Sequence, residues 1–450
     1  MEKKRENTFW NFFENLEGDK VVWIIALMLI LISIVCTFSS TSRLLVGDQT
    51  RLDIVKSHMI VVALGLGLIA LCYNIKRISV IRWFSKWGFL LSFVLLALLL
   101  SKVRLPFLKS IELNGARRIL QIGPLQVHVF EVIKVAMVMY LSWAMDALKK
   151  GELKGPDDPR WKKALYLYLP FLTIFLMVLP GSNTAALFIG GIMFITILLG
   201  GGNFKDMAIL AAAGSLLLAV AFGMFSLTKN NDKVAFKRIG TAISRVFDDT
   251  DYEKKVLEAK VGSKEYYDAL DEIRQPYSAK IAIKEGGFVG KGPGQSTQRY
   301  VVPDISEDYM FSFIIEEYGL LGGILVILLY LSLMARGSII ARNCGKDTFA
   351  KLAVAGLSIL ITGQAFLHMF VNADIGPMTG QTLPLISHGN SAFLCFSLAI
   401  GILLSISRIA AREVEKEQKN AGPLMEMTGR ADYPAICGTE EEKKENNVEL

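Results

Sequence analysis

The sequence is poor in the side chains that bind metal ions and form disulfides. Its 450 residues include five cysteines and four histidines, and no cysteines stand in a Cys-x-x-Cys pair or at zinc-site spacing. This argues against a disulfide framework and against a zinc module. Charged residues make up 20% of the chain and hydrophobic residues 52%, which is unusual for a soluble protein. The net charge of +7 favours contact with anionic lipid over contact with nucleic acid.

Long apolar runs are abundant. The first begins at Val21 and reads VVWIIALMLILISIVCTF, and about 20 such residues in a helix cross the roughly 30 Å hydrocarbon core of a bilayer. Its length and flanks do not fit a cleaved signal peptide, so it is predicted to remain as a membrane helix. We predict an all-α fold, a polytopic integral membrane protein with about ten transmembrane helices. The predicted spans are 21–40, 58–75, 84–101, 126–146, 164–180, 184–200, 207–226, 309–335, 351–371 and 385–407.

Lysine and arginine in the short loops predict the orientation of these spans. The basic loops alternate with poorer ones, and the basic side of a membrane protein is the cytoplasmic side. Both termini are then cytoplasmic, and the tail is predicted to be disordered because it is charged and poor in aromatic residues. The predicted segments are a cytoplasmic N-terminus (1–20), a membrane domain (21–408), a large extracytoplasmic loop between helices 7 and 8 (227–307), and a cytoplasmic tail (409–450).

The predicted outer loop 102–125 departs from this charge bias, because it keeps cations on the side where they are normally rare. A single loop lysine usually does no more than solvate the surface. The adjacent Arg117 and Arg118 instead favour an anionic ligand, since the guanidinium fork matches phosphate oxygens. The cations of this loop are Lys102, Arg104, Lys109, Arg117 and Arg118.

Two ionisable residues lie inside the fourth predicted span. Charged side chains within a membrane are costly and usually face the bundle interior or a watery cavity. Glu131 and Lys134 are three residues apart, so they share a helix face. Two interpretations fit them: the pair locks two helices together, or it forms a polar wall for a ligand that enters from the outer leaflet.

The stretch VVPDISEDYMFSFIIEEYG, residues 301–319, crowds carboxylates at the start of the eighth predicted span. Asp304 or Ser306 is a candidate cap for this helix. Glu307 and Asp308 are favoured in a first turn by the helix dipole. Capping therefore explains the outer acids of the stretch.

Capping does not explain Glu316 and Glu317, which lie roughly 12–14 Å beyond Asp308 along a helix. Asp308, Ser312 and Glu316 recur every four residues, which predicts a polar stripe running inward from the outer mouth. We expect Glu316 and Glu317 to be buried partners of cations on neighbouring helices. Asp308 is the candidate general base, because partial burial raises a carboxylate pKa toward neutrality.

Two stretches rich in glycine and proline border the last spans. Residues 286–300, GGFVGKGPGQSTQRY, have Pro293 where a phosphate loop has its lysine, so we interpret them as a flexible loop that packs over the cavity. Residues 371–393, VNADIGPMTGQTLPLISHGNSAF, are not a continuous helix, and irregular backbone at membrane depth needs protein or a watery cavity around it. His388 is interpreted as hydrogen-bonded rather than metal-binding, since no other histidine stands at ligand spacing.

Taken in order, these motifs resemble those of the SEDS (FtsW/RodA) family of peptidoglycan polymerases. The resemblance covers about 20–408, and the joint order of the motifs is its specific part. The N-terminal span and the polar tail are more similar to division-type than to elongation-type members. The matching motifs are NGARR (114–118), Glu131-x-x-Lys134, GKGPGQS (290–296), PDISED (303–308) with a following EEYGLLGG, and PMTGQTLPLISHGNSA (377–392).

The resemblance implies a ten-helix glycosyltransferase that polymerises lipid II, a disaccharide-peptide on undecaprenyl pyrophosphate. The proposed catalytic acid of the family falls on Asp308, which would deprotonate the acceptor 4-hydroxyl. An α-linked donor and a β-1,4 product imply inversion, by analogy with inverting glycosidases. Candidate substrate- and pyrophosphate-binding residues are Asn114, Arg117, Arg118, Glu131 and Lys134. Candidate supporting residues are Asp304, Ser296, Glu316, Glu317, Ser387 and His388.

The chain departs from the family pattern at several positions without touching Asp308. Ile119 stands in place of a tryptophan, and Gly181 lies in a motif that has lost its aspartate. His388 and Asn390 replace the Tyr and Gly of a Ser-Tyr-Gly-Gly-Ser motif. These departures suggest a divergent branch.

The implied partners are lipid II, membrane lipid, a class B penicillin-binding protein transpeptidase and other divisome proteins, with no nucleic acid. No cofactor and no metal-ligand set is identified, and a requirement for a divalent cation (Mg²⁺ or Mn²⁺) stays open. The expected location is the cytoplasmic (inner) membrane at the division septum. The alternatives are a flippase for the lipid-linked precursor, an elongation-type polymerase, and a non-catalytic scaffold. A flippase should concentrate its charges at the midplane, whereas these acids cluster at the predicted mouth.

Overall fold

The computed structural model shows a multi-pass membrane protein whose apolar runs form long helices. Among the described residues, seven helices are long and apolar enough to cross a membrane. The described residues are 17–41, 51–101, 104–105, 108–113, 116–123, 125–155, 158–206, 208–209, 212, 214, 256, 258–261, 263–302, 305–376 and 379–428.

Four helices precede the sheet. The first begins after Asp19, whose carboxylate accepts hydrogen bonds from the backbone N–H groups of Val21 and Val22 and so caps it. The third and fourth together make one apolar span, Ile78–Leu100. The four are α1 (Lys20–Ser40), α2 (Arg51–Tyr73), α3 (Ile78–Ser85) and α4 (Gly88–Leu100).

A four-stranded antiparallel sheet occupies the region that the sequence predicts as the outer loop 102–125. Its order is β1-β2-β3-β4, with Glu112 opposite Arg117 and a bulge beside Ile111. Ile119 and Leu120 are both buried, so β3 has a buried apolar side chain on each of its faces. The strands are β1 (Arg104–Leu105), β2 (Leu108–Leu113), β3 (Ala116–Ile122) and β4 (Leu125–His128).

The central helix follows the sheet directly. It is buried along most of its length and contacts α4 and two later helices, Asn183–Leu199 and Thr348–Asn372. It ends at Gly151, whose φ of 70° is left-handed and therefore suits glycine. The helices of this part are α5 (Val129–Lys150), α6 (Pro159–Lys163), which continues through a π-turn (Ala164–Tyr168) into α7 (Leu169–Val178), and α8 (Asn183–Leu199).

The last four helices carry most of the acidic and polar motifs. The predicted extracytoplasmic loop 227–307 contains one of them, a helix that packs against α10. These helices are α9 (Lys264–Gly286), α10 (Met310–Asn343), α11 (Thr348–Asn372) and α12 (Asn390–Thr428).

The predicted fold class is confirmed, and the sheet is an addition to it. Nine of the ten predicted spans coincide with described helices; the other, 207–226, lies largely outside the described residues. α5 is absent from the seven apolar spans because it carries charged residues, and α8 because it is short.

The chain forms two compact units, Met1–Ala410 and Ala411–Leu450. The described part of the second unit is helical as far as Thr428, which corrects the prediction of disorder from residue 409. The charge that suggested disorder comes from Glu and Lys, which are also good helix formers. Residues 429–450 lie outside the described residues.

Candidate active site

Asp308 lies half-buried in the turn that leads into α10. A Cβ atom added to Gly380 would lie 3.7 Å from Asp308 Oδ2 and 3.9 Å from Arg118 Nη1. The carboxylate and the guanidinium therefore reach the same point of the segment between α11 and α12. Gly380, whose φ is 59°, therefore lies within reach of both groups.

The two adjacent arginines of β3 have different partners. Arg118 donates from Nε to the carbonyl oxygen of Gly181 at 3.2 Å and extends toward Asp308. Arg117 instead lies 3.5 Å from a carboxylate oxygen of Glu112 on β2. Successive residues of a strand point to opposite faces. The structure thus brings Arg118 to Asp308 and directs Arg117 across the sheet.

Lys134 has no N–H bond left for a ligand. Its side chain is 0% exposed, and Nζ donates to Glu131 Oε1 at 2.7 Å, to Gln364 Oε1 at 2.7 Å and to Gln381 Oε1 at 2.5 Å. An ammonium group has three donors, and here all three are used. The helix-locking interpretation of Glu131 and Lys134 is therefore favoured over the ligand-binding one: α5 is joined to α11 and to the segment that holds Gly380.

The turn around Asp308 is held by α11. His368 Nε2 accepts a hydrogen bond from the backbone N–H of Phe311 at 3.3 Å, and Asn372 Oδ1 accepts one from that of Ser312 at 2.9 Å. Asn372 Nδ2 donates to the backbone carbonyl of Asp308 at 3.0 Å. Tyr309, at the cap position of α10, makes no side-chain capping bond.

The segment between α11 and α12 holds the same turn from another direction. Ser387 Oγ donates to the carbonyl oxygen of Glu307 at 2.8 Å, and the backbone N–H of His388 donates to that of Ser306 at 2.9 Å. The ring of His388 is directed elsewhere, with its centroid 5.2 Å from that of His58. The predicted supporting role fits Ser387, whereas the imidazole of His388 faces away from these contacts.

Glu316 is fully buried and fixes the loop that follows α9. Its carboxylate accepts hydrogen bonds from Lys291 Nζ at 2.7 Å, from the backbone N–H of Thr297 at 2.8 Å and from the hydroxyl of Ser296. Burial lowers the pKa of Lys291, but its hydrogen bonds with Glu285 and Glu316 outweigh that effect, and the pKa is raised. The cation partner predicted for Glu316 exists, on a loop rather than on a neighbouring helix.

Glu317, also buried, has neutral donors. Oε1 accepts hydrogen bonds from Ser39 Oγ at 2.6 Å and from the backbone N–H groups of Gly294 at 3.0 Å and Ser296 at 3.4 Å. These bonds join α1 and the loop to α10. The expectation of a cation on a neighbouring helix is corrected: backbone N–H groups of the loop and the Ser39 hydroxyl bind Oε1 instead.

Bonds between main-chain atoms also join this loop to α10. α10 breaks at Gly319, where φ is 68° and ψ is −173°. The N–H groups of Lys291 and Gly292 donate to the carbonyls of Glu316 and Glu317, and that of Leu320 donates to Gly287. We call this set of contacts the joint between the loop and α10. An added Cβ at Gly290 would lie 2.3 Å from the carbonyl oxygen of Glu317, and one at Gly319 would lie 2.4 Å from that of Phe288. The loop predicted to be a flexible cover is thus fixed to α10.

The predicted polar stripe is interrupted. Asp308 precedes the first helical residue, Met310. Ser312 is buried and bonds to Tyr309, while Glu316 bonds to the loop. The three side chains therefore have separate environments rather than lining one path.

Several charged groups of the site influence the pKa of His128, the last residue of β4. Desolvation is the largest influence on its pKa and lowers it; Glu131 opposes that shift, whereas Arg118 and Lys134 add to it. The net effect is a lowered pKa. The imidazole thus stays neutral to a lower pH than usual, at the junction of the sheet and α5.

Sequence reasoning missed the neutral partners in this region. Gln364, His368 and Asn372 recur every four residues on α11, and that polar row within an apolar span was the available signal. Gln381, the fourth partner, carries no such pattern. Asn114 and Asp304 lie outside the described residues. Within the described part of the chain, no three His, Cys, Asp or Glu side chains are grouped to hold a metal ion.

The comparison with known families is decisive. The sequence model of the family described as "Cell cycle protein", which takes in FtsW, RodA and SpoVE, matches residues 19–412. The chain belongs to this family. The family predicted from the motifs is thus confirmed.

Curated members of the family cover most of the chain. The probable peptidoglycan glycosyltransferase FtsW of Hydrogenovibrio crunogenus is 26% identical over 395 residues, which are 85% of this chain and 90% of the relative. The protein of the same name from Caulobacter vibrioides is 29% identical over 316 residues, covering 70% and 71%.

Solved structures of the family share the fold. RodA of Thermus thermophilus superposes with a TM-score of 0.57 at 20% identity, covering 88% of this chain and 98% of that one. A chain from a peptidoglycan synthase complex that coordinates polymerization and crosslinking gives 0.62 at 21% identity, covering 87% and 98%.

Proposed function

We propose that this chain is a peptidoglycan glycosyltransferase that polymerises lipid II at the outer face of the cytoplasmic membrane. The enzyme class is that of its curated FtsW relatives. The observation that carries the site is the convergence of the Asp308 carboxylate and the Arg118 guanidinium on Gly380. A base and a fixed cation side by side suit a transfer in which a hydroxyl loses a proton and a phosphate leaves.

The proposed step is a single inverting displacement. The Asp308 carboxylate takes the proton of the acceptor 4-hydroxyl, and that oxygen forms a bond to the anomeric carbon of the donor. The bond from this carbon to the pyrophosphate oxygen breaks, and undecaprenyl pyrophosphate leaves with the electron pair. One base is enough for such a step, by analogy with inverting glycosidases.

Arg118 is the residue we assign to the leaving pyrophosphate. Its Nε is fixed by the Gly181 carbonyl, and its Nη1 lies near Gly380, as the Asp308 carboxylate does. A preorganised cation of this kind stabilises the charge that develops on the leaving group. Lys134 is assigned a structural role instead, because its three donors are used within the protein.

The cellular setting follows from the family and the charge pattern. We propose septal cell-wall synthesis, with both termini in the cytoplasm of an inner-membrane protein. The solved synthase complex supports a crosslinking partner, which we propose is a class B penicillin-binding protein acting with other divisome proteins. A requirement of the step for Mg²⁺ or Mn²⁺ is tested by repeating the assay with EDTA.

The test is glycan polymerisation from lipid II by the purified protein, with its transpeptidase partner present. Asp308→Ala should abolish product while the protein elutes and unfolds like the wild type. Glu307→Gln is the matched control, an exposed neighbouring acid, and should keep its activity. Full activity of Asp308→Ala would overturn the base assignment. Movement of labelled lipid II across proteoliposomes without polymer would favour the flippase instead.

A further inference from the structure

The first turn of α10 takes its cap from another helix. The first backbone N–H groups of a helix have no partner within it and usually bond to the side chain of the capping residue. Tyr309, at the cap position, makes no such bond. The N–H groups of Phe311 and Ser312 donate instead to His368 and Asn372 of α11. The helix start that carries Asp308 is therefore fixed by α11.

The bonds at His368 define its tautomer. Nδ1 lies 2.7 Å from the backbone carbonyl of Gln381, which is only an acceptor, so Nδ1 carries the proton. Nε2 is then the acceptor that the N–H of Phe311 requires. His368 is 1% exposed and both of its ring nitrogens are used. It connects the segment that holds Gly380 to the start of α10.

Asn372 makes the matching contact at Asp308 itself. Its Oδ1 accepts from Ser312, and its Nδ2 donates to the backbone carbonyl of Asp308 and to that of His368. The side chain is 0% exposed. One amide thus fixes the backbone on both sides of the first helical residue, and with it the direction in which the Asp308 side chain leaves the turn.

We propose that His368 and Asn372 are positioning residues that hold the Asp308 carboxylate in its reactive place through this borrowed cap. The proposal rests on the role of Asp308 in the proposed function. Lys134 supports the same arrangement. It donates to the side chain of Gln381, and His368 bonds to the backbone carbonyl of that residue. A shift of about 1 Å in a reacting group costs on the order of a hundredfold in rate, so loss of the cap should lower kcat.

The test separates the two bonds of His368 with a pair of variants. His368→Gln keeps an acceptor near the position of Nε2 and should retain kcat within about threefold, whereas His368→Asn keeps only a donor near the position of Nδ1. His368→Asn should lower kcat about tenfold or more with KM for lipid II within about twofold. Asn372→Asp keeps the acceptor for Ser312 but loses the donor to Asp308, so it should also lower kcat.

Amide hydrogen exchange in the peptide 305–315 measures the cap without reference to activity. Exchange should be faster in His368→Asn than in the wild type and nearly unchanged in His368→Gln. Thr362→Val is the matched control, since it removes a buried hydrogen bond from α11 to the carbonyl of Tyr330; it should leave exchange in 305–315 and kcat unchanged.

Three results would overturn the proposal: equal kcat losses in His368→Gln and His368→Asn, a change in KM alone, or unchanged exchange in His368→Asn. Failure of the proposed function looks different. If Asp308→Ala remains active while His368→Asn speeds exchange, the cap is real and the assignment of the base is wrong. Thermal unfolding of each variant shows whether a kcat loss comes from misfolding, and a kcat loss that tracks unfolding would also count against the proposal.

Discussion

Asp308 and Glu316 are carboxylates eight residues apart at one end of α10, and the protein treats them in opposite ways. Glu316 is fully buried and bonds to Lys291, Ser296 and Thr297. Asp308 is half-buried, and its carboxylate lies near Arg118 at Gly380. A fully buried carboxylate that is bonded through both oxygens stabilises a fold, whereas a half-buried one remains accessible to the hydroxyl of a ligand.

The largest expected effect is that substitution of Asp308 lowers activity, whereas substitution of Glu316 lowers stability. Asp308→Asn should lower polymerisation by roughly 10²–10⁴-fold, the usual contribution of a general base, with little change in thermal stability. Glu316→Gln should instead lower the free energy of unfolding by roughly 3 kcal/mol, toward the low end for a broken buried pair, because Lys291 retains Glu285. Thermal unfolding in detergent and the lipid II assay measure both. The comparison would fail if each variant lost activity and stability alike.

Gly319→Ala tests the backbone contacts between the loop after α9 and α10, which lie next to Glu316. The added Cβ would lie 2.4 Å from the carbonyl oxygen of Phe288, at a φ of 68° that only glycine adopts readily. The expected loss is about 3 kcal/mol of unfolding free energy. Gly67→Ala is the control: it lies within α2 with nothing within 4 Å of its Cβ, and should gain about 0.5–1 kcal/mol. Equal stabilities of the two variants would show that the joint is not needed.

Variants of Arg117 and Arg118 test which of the two arginines contacts pyrophosphate beside Asp308. Arg118→Ala should lower kcat/KM for lipid II about tenfold or more, with a loss in kcat, because the contact that stabilises the leaving pyrophosphate is lost. Arg117→Ala should change kcat/KM by less than about twofold, since this side chain is directed toward Glu112. Initial rates over a range of lipid II concentrations separate the two. A larger effect at Arg117 would reverse the assignment of the pyrophosphate contact.

The membrane spans could be predicted from the sequence because a run of about 20 apolar residues, in a chain this hydrophobic, rarely forms anything but a membrane helix. α1 and α11 begin and end within a few residues of their predicted bounds. Asp308 could be singled out only through the resemblance to the family motif, because helix capping explains an acid at this position equally well.

The sheet and the partners of the buried groups could not be predicted in the same way. Four short strands give weak signals among apolar spans, although the Asn114-Gly115 pair between β2 and β3 is a common hairpin dipeptide. The sequence does not distinguish a ligand-binding from a helix-locking role for Lys134, because the acceptors Gln364 and Gln381 are 230 and 247 residues away. Such contacts depend on the packing of helices that sequence periodicity does not specify.

The joint between the loop and α10 is made largely of main-chain atoms, and this bears on how the sequence can drift over evolution. Backbone hydrogen bonds survive most changes of side chain, so neighbours such as Phe288 and Val289, whose side chains are exposed, are free to vary. Gly290 and Gly319 are not free to vary, because a Cβ at either position would clash with backbone atoms of the facing segment. Saturation libraries at single positions of the joint should therefore tolerate many substitutions at Phe288 and Val289 and almost none at Gly290 and Gly319.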